Sequence, residues 1–184
     1  MKHGIIIIIV GLAFIMQVKG QTISLKSNLL YDATTTVNFG METGLSNKWT
    51  LDISGNYNPW QFNGNKKLKH WMVQPEIRYW LCERFYGHFI GLHLHYAYYN
   101  AGGIKMFGLE HHRYQGFLYG GGISYGYQWI IGNFWLLEMS VGAGYAYGEY
   151  GKYRCEECGE KIKDDLFHYF GPTKASVSLI YLIR

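Results

Sequence analysis

From Phe117 to Trp129 the chain alternates without a break. Phe117, Tyr119, Ile123, Tyr125, Tyr127 and Trp129 share one face with Gly121, and Leu118, Gly120, Gly122, Ser124, Gly126 and Gln128 share the other. Successive side chains of a β-strand point to opposite faces, so a period of two makes one wall aromatic and aliphatic and the other small and polar. The run exceeds both the ~5–6 residues usual for a soluble strand and the ~9–11 residues with which a tilted strand crosses a bilayer. It predicts a membrane-spanning strand whose apolar face meets lipid. Gly120, Gly122 and Gly126 are expected to leave room for charged side chains of neighbouring strands.

The N-terminus fits that destination. Met1, Lys2 and His3 precede an apolar run from Ile5 to Met16, followed by Val18-Lys19-Gly20. This is the pattern of a cleaved secretory signal, assigned here to residues 1–20. The run is too short for a spanning helix, which needs ~20 residues. Residues 21–184 then form one domain. Of the 17 basic residues two, Lys2 and Lys19, leave with the signal, so 15 face 13 acidic ones, a balance that argues against a nucleic-acid binder. With 24 Gly, 17 Tyr and 6 Trp against 3 Pro, the chain is β-rich. In lipid such a chain must close on itself, because only closure satisfies every backbone N–H and C=O.

Eight segments carry the same alternation. The first runs from Ile23 to Tyr31, with Leu25, Leu29 and Tyr31 opposite Lys26, Asn28 and Leu30. The others centre on Val37–Leu45, Trp49–Pro59, Trp71–Leu81, Ile90–Tyr98, Phe117–Trp129, Trp135–Tyr147 and Lys174–Arg184. The expected fold is all-β, an eight-stranded antiparallel transmembrane up-and-down β-barrel with both termini in the periplasm. Short links at Ser46–Lys48, Cys82–Arg84 and Gly132-Asn133 alternate with long polar ones at Gln61–Lys69, Asn100–Arg113 and Glu149–Phe170, as periplasmic turns alternate with outer loops. Trp49, Trp80, Trp129 and Trp135 fall at the turn ends and Trp60 and Trp71 at the loop ends. They are assigned to lipid-facing aromatic girdles. A soluble lipocalin-like barrel, with the apolar face inward, is the alternative.

Three stretches resemble a known family. Tyr169-Phe170-Gly171-Pro172-Thr173-Lys174-Ala175, running on to Ser178-Leu179-Ile180-Tyr181-Leu182-Ile183, is similar to the closing strand of uncharacterised outer-membrane barrels common in Bacteroidetes. Lys26-Ser27-Asn28-Leu29-Leu30-Tyr31-Asp32, followed by Asn38-Phe39-Gly40-Met41-Glu42, resembles that family's opening hairpin, and Asn58-Pro59-Trp60 its third-strand exit. The family is a domain of unknown function whose genes often stand beside those of fimbrial subunits and other envelope proteins. The shape also resembles the small membrane domain of OmpA-type proteins. The resemblance implies a Gram-negative outer membrane, contact with lipid and lipopolysaccharide, delivery by the barrel-insertion machinery, and fimbrial or other envelope proteins as partners. One departure is the terminus Ile183-Arg184, where such barrels often end on an aromatic residue; Tyr181 is the nearest substitute.

The inward positions collect Lys26, Glu42, Asp52, Glu76, Arg78 and Glu138, with Asn28, Gln74, His93, His95 and Gln128 around them. A small barrel holds only its own side chains, and buried charges must pair, so these predict an ion-pair plug. A narrow gated pore is the functional alternative. Cys155 and Cys158 form a CxxC in the last loop, read as a loop disulfide rather than half of a zinc site completed by His111, His112 or His168. Lys66, Lys67 and Lys69 are candidates for lipopolysaccharide phosphates. A lipid A-modifying enzyme would need a nucleophile beside a base, and His111, His112, Ser124 and Glu149 are not placed together by spacing. The expectation is a monomeric structural or adhesive barrel, not an enzyme, with no cofactor or metal.

Overall fold

The computed structural model describes residues 22–62, 66–102, 112–154 and 161–183, so the expected signal at 1–20 lies outside the described residues. The chain runs β1 (Ile23–Asn28), α1 (Leu29–Ala33), β2 (Val37–Gly44), β3 (Trp49–Asn58), β4 (Gln61–Phe62), β5 (Lys66–Trp80), β6 (Gly87–Gly102), β7 (His112–Ile130), β8 (Trp135–Arg154) and β9 (Lys161–Ile183). Every pairing is antiparallel, each long strand lying beside its neighbours in sequence, while β4 forms a two-residue hairpin with the start of β5. Pairing of β3 with β5 bridges that hairpin, and pairing of β1 with β9, from Ile23↔Ile183 to Asn28↔Ser178, closes a ring of eight strands.

The ring is inside out relative to a soluble domain. Outward positions carry Leu92, Leu94, Ile123 and Val141, each about three-fifths exposed, while inward positions carry Glu76, Arg78, His93, Gln128 and Glu138, all at 1% exposure or less. The start of β1, the end of β9 and the links 45–48, 81–86 and 131–134 share one end of the ring, the turn end. Its interior is closed by apolar side chains: Phe85, Leu136, Ile180 and Leu182 cluster there, and the Trp80 ring lies 4.9 Å from that of Phe89. Phe85 reaches this plug from a left-handed backbone position, φ 63°, in the turn before β6. Its carbonyl accepts a hydrogen bond from Gln128 Nε2 at 3.1 Å.

The first strand is shorter than the alternation predicts. Leu29 and Tyr31 do not continue β1. Asn28 turns the chain instead, because its side-chain oxygen accepts from Leu30 N at 3.1 Å and caps α1. The turn is fixed by Asp32, whose carboxylate takes bonds from Ser27 Oγ and Asn38 Nδ2.

The opposite end differs from expectation in the other direction. Much of what reads as loop is strand. β8 and β9 stay paired from Tyr145↔Phe170 out to Tyr153↔Lys161, and β6 and β7 out to Gly102↔Arg113. Lys66, Lys67 and Lys69 lie on β5, with Lys67 and Lys69 paired to Gly102 and Asn100, not in a loop. Polar side chains predict loops here, yet a strand ladder is held by backbone hydrogen bonds, and these segments have their backbone partners. Two irregularities interrupt the β8–β9 ladder: Gly142 pairs with Lys174 and Ala143 with Pro172, leaving Thr173 as the extra residue of a bulge, and farther out Lys152 pairs with Lys163 and Tyr153 with Lys161, leaving Ile162 unpaired.

The glycines of β7 do not make room for charges. A Cβ on Gly126 would press on the Phe89 ring and lie 2.8 Å from the Met139 carbonyl, one on Gly122 would strike the β8 backbone, and one on Gly120 would meet His95 and that backbone. Space for a charged group comes from Gly91, whose Cβ would crowd the Glu76 carboxylate and the Ser124 hydroxyl. Gly126→Val should lower the unfolding free energy by about 1–3 kcal/mol through overpacking, while Ala143→Val on the outer face changes it little. Denaturant titration of both variants followed by tryptophan fluorescence checks this, and equal stabilities would contradict the close approach.

Candidate functional site

Midway along the ring six inward residues from five strands meet. Lys26 comes from β1, Glu42 from β2, Asp52 from β3, Glu76 and Arg78 from β5, and Glu138 from β8. Cross-strand register brings the acids together: Glu42 stands opposite Asp52, and Asp52 opposite Glu76. Like charges at such positions are unfavourable unless a cation stands between them.

Arg78 is that cation. Its Nη1 donates to Glu42 Oε2 and Glu138 Oε2, both at 2.8 Å, its Nη2 to Asp52 Oδ2 at 3.0 Å and Glu138 Oε1 at 3.2 Å, and its Nε lies 3.3 Å from Glu76 Oε1. The guanidinium also stacks 4.5 Å from the Phe89 ring centroid. Its planar fork reaches four carboxylates at once, which a lysine's single ammonium cannot do. Lys26 Nζ completes the group, 2.7 Å from Glu42, 3.2 Å from Asp52 and 3.5 Å from Glu138.

The structure therefore brings together all six residues selected from the sequence. It adds others. Lys174 pairs with Glu76, the Ser124 hydroxyl donates to Glu76 Oε1 at 2.6 Å, and Thr50 donates to Glu42 Oε1 at 2.5 Å. Because of the bulge, Thr173 also turns inward, its hydroxyl 2.9 Å from His93 Nε2. Alternation in the last strand already puts Lys174 on the inner face; the bulge at Thr173 has no such mark in the sequence. Counted together, four carboxylates face three cations, Lys26, Arg78 and Lys174.

Trp80 is corrected. It does not belong to an outer girdle: its residue is fully buried, and its Nε1 donates to Thr50 Oγ1 at 2.9 Å. Parity decides this, since Trp80 lies two residues beyond Arg78 and so shares its face. Trp49, Trp60, Trp129 and Trp135 are exposed, and Trp71 is half-buried on the outward face. Cys155, Cys158 and His111 lie outside the described residues, while Cys82 is an exposed free thiol in the turn after β5. His168 bonds Tyr145 on the outer surface, and Ser124 is buried against Glu76, so neither stands with Glu149 in a nucleophile and base pair. Among the described residues no group of three or more His, Cys, Asp or Glu is arranged to hold a metal ion.

Removing one member of a buried ion network leaves the rest unpaired, a loss of about 3–5 kcal/mol, while isosteric neutralisation of one acid in an acid-rich network costs less. Arg78→Ala should therefore destabilise the protein by that amount and Glu138→Gln by clearly less. Equilibrium unfolding of the two variants checks the order, and an Arg78→Ala protein as stable as the parent would sink the central role of the guanidinium.

A family model described as a protein of unknown function, DUF3575, matches residues 5–183. No curated protein and no solved structure matches the chain.

Proposed function

We propose that this chain, which belongs to the DUF3575 family of proteins of unknown function, is a closed β-barrel of a Gram-negative outer membrane. In this reading residues 1–20 are the cleaved signal, the turn end lies in the periplasm, and the protein acts as a monomeric anchor that displays the extended ends of β6–β9 at the cell surface. The observation that carries the proposal is the band of exposed apolar side chains encircling a charged interior. In water that arrangement would bury ions and expose oil; in a bilayer both faces are matched to their surroundings. From Phe117 to Trp129 β7 covers about 40 Å along the strand, or about 30 Å once tilted by ~40°, near the ~25 Å apolar belt of such barrels.

The apolar plug at Phe85, Leu136, Ile180 and Leu182 and the ion network above it favour a non-conducting barrel over a pore. The role this supports is structural or adhesive. Fimbrial or other envelope proteins are the partners it favours, through the sheet that β7, β8 and β9 extend beyond the ring. Leu92→Arg, at mid-height on the outer face of β6, should cost about 2–4 kcal/mol in phosphatidylcholine vesicles, whereas Ile162→Arg on the outlying part of β9 should cost under about 1 kcal/mol. Urea unfolding from vesicles measures both, and an equally small cost at Leu92 would contradict lipid at that face.

A further inference from the structure

Above the ion network the interior widens into a cavity of about 410 Å³ toward the end of the ring away from the turns. Its floor includes Asp52, Arg78 and Glu138, and its walls include Asn56 and Gln74. Two polar atoms there are buried without a partner: Asn56 Oδ1 and Gln74 Nε2, on residues 8% and 5% exposed. Asp52 Oδ1 also lacks a hydrogen bond and has only the ion pair with Lys26 at 3.2 Å. So one carboxylate oxygen and one amide oxygen await a donor, one amide nitrogen awaits an acceptor, and the network beneath is short of one positive charge. Buried polar groups left in this way are costly unless something fills their positions. The other titratable side chains on the lining are Tyr31, whose hydroxyl bonds the Asn56 side chain, and Lys26 and Lys174, which are paired with Glu42 and Glu76.

The cavity also reaches the outer surface. Because β1 stops at Asn28, α1 takes the place of a strand beside β9 above Ser178, and among the described residues the Asn28 side chain supplies the hydrogen bonds across, to Ala175 O and Val177 N. At this edge, covered by α1 rather than by a strand ladder, the cavity is lined by Lys174 and by Leu30 and Phe39, which are 46% and 59% exposed.

We propose that this cavity binds a primary ammonium carrying an oxygen two carbons away, as in an ethanolamine head group, and that it enters sideways from the bilayer as part of a lipid. The ammonium donates to Asp52 Oδ1 and Asn56 Oδ1 and supplies the missing charge. Gln74 Nε2 donates to the oxygen, and the acyl part lies along Leu30 and Phe39. The ammonium site rests on the cavity alone; entry from a bilayer rests on the membrane reading above.

The test uses the full mature chain in a maltoside micelle, with thermal unfolding and native mass spectrometry as readouts and three probes: lysophosphatidylethanolamine, lysophosphatidylglycerol and free O-phosphoethanolamine. The ethanolamine lipid should raise the midpoint by several degrees and remain bound in the gas phase; the glycerol lipid should do neither. Gln74→Leu, which removes a donor with no partner, should unfold no earlier than the parent yet lose the ethanolamine-dependent shift. Binding of free O-phosphoethanolamine as tightly as the lipid would keep the ammonium site and overturn lateral entry. Equal shifts with both lipids, retention of the shift in Gln74→Leu, or no binding of either ethanolamine compound would overturn the site, whether or not the protein inserts into membranes.

Discussion

The guanidinium of Arg78, held by Glu42, Asp52, Glu76 and Glu138, is the interaction on which the rest of the structure depends. An eight-stranded ring encloses only enough space for side chains to fill. Once that space holds seven charged groups, the apolar residues at the same height of each strand have only the outer surface left to them, and those that stay inside gather at the turn end. The cluster also ties together strands far apart in sequence, from β1 to β9, so closure of the sheet and neutralisation of the interior are one event. A charge lost from the middle is felt by β1, β2, β3, β5 and β8 together.

Along the axis the interior changes character in three steps. At the turn end Trp80, Phe85, Phe89, Leu136, Ile180 and Leu182 form an apolar floor. The ion network rests on it, with Arg78 against the Phe89 ring. Beyond the network the filling stops and the cavity begins, on the side where β1 is short and α1 replaces the missing strand. Under the proposed membrane reading this polarity has a direction: sealed toward the periplasm, open toward the outer leaflet and the cell surface, with the longest strands reaching outward.

Much of this was legible in the sequence wherever one rule acted alone. The alternation of β6, β7 and β8, and with it the inward placement of Glu76, Arg78 and Glu138, follows from the period of two. Trp80 shows where two rules compete. Its place at a strand end suggests a girdle, while its parity with Arg78 puts it inside, and parity wins because a strand cannot turn one side chain without shifting its register. Leu29 and Tyr31 continue the alternation on paper, but Asn28 offers its side chain to the backbone two residues on and ends the strand first. The bulge at Thr173 depends on the partner strand and leaves no local trace. The long extensions of β8 and β9 look like loops in the sequence because their hydrophobic periodicity fades, while the hydrogen-bonded ladder, which needs only backbone groups, continues.

The central claim, a barrel set in the outer membrane with its turns inward and its extended strands outward, is tested most directly by thiol labelling on intact cells. Lys163, two-thirds exposed on β9 and paired with Asp165, and Cys82 in the turn after β5 stand at opposite ends of the molecule. In a background with Cys155 and Cys158 replaced by serine, a membrane-impermeant maleimide should label Lys163→Cys, Cys82→Ser cells without permeabilisation. Cells retaining only Cys82 should be labelled once the outer membrane is opened. Labelling of Cys82 on intact cells, or none at position 163 until the membrane is breached, would contradict the account.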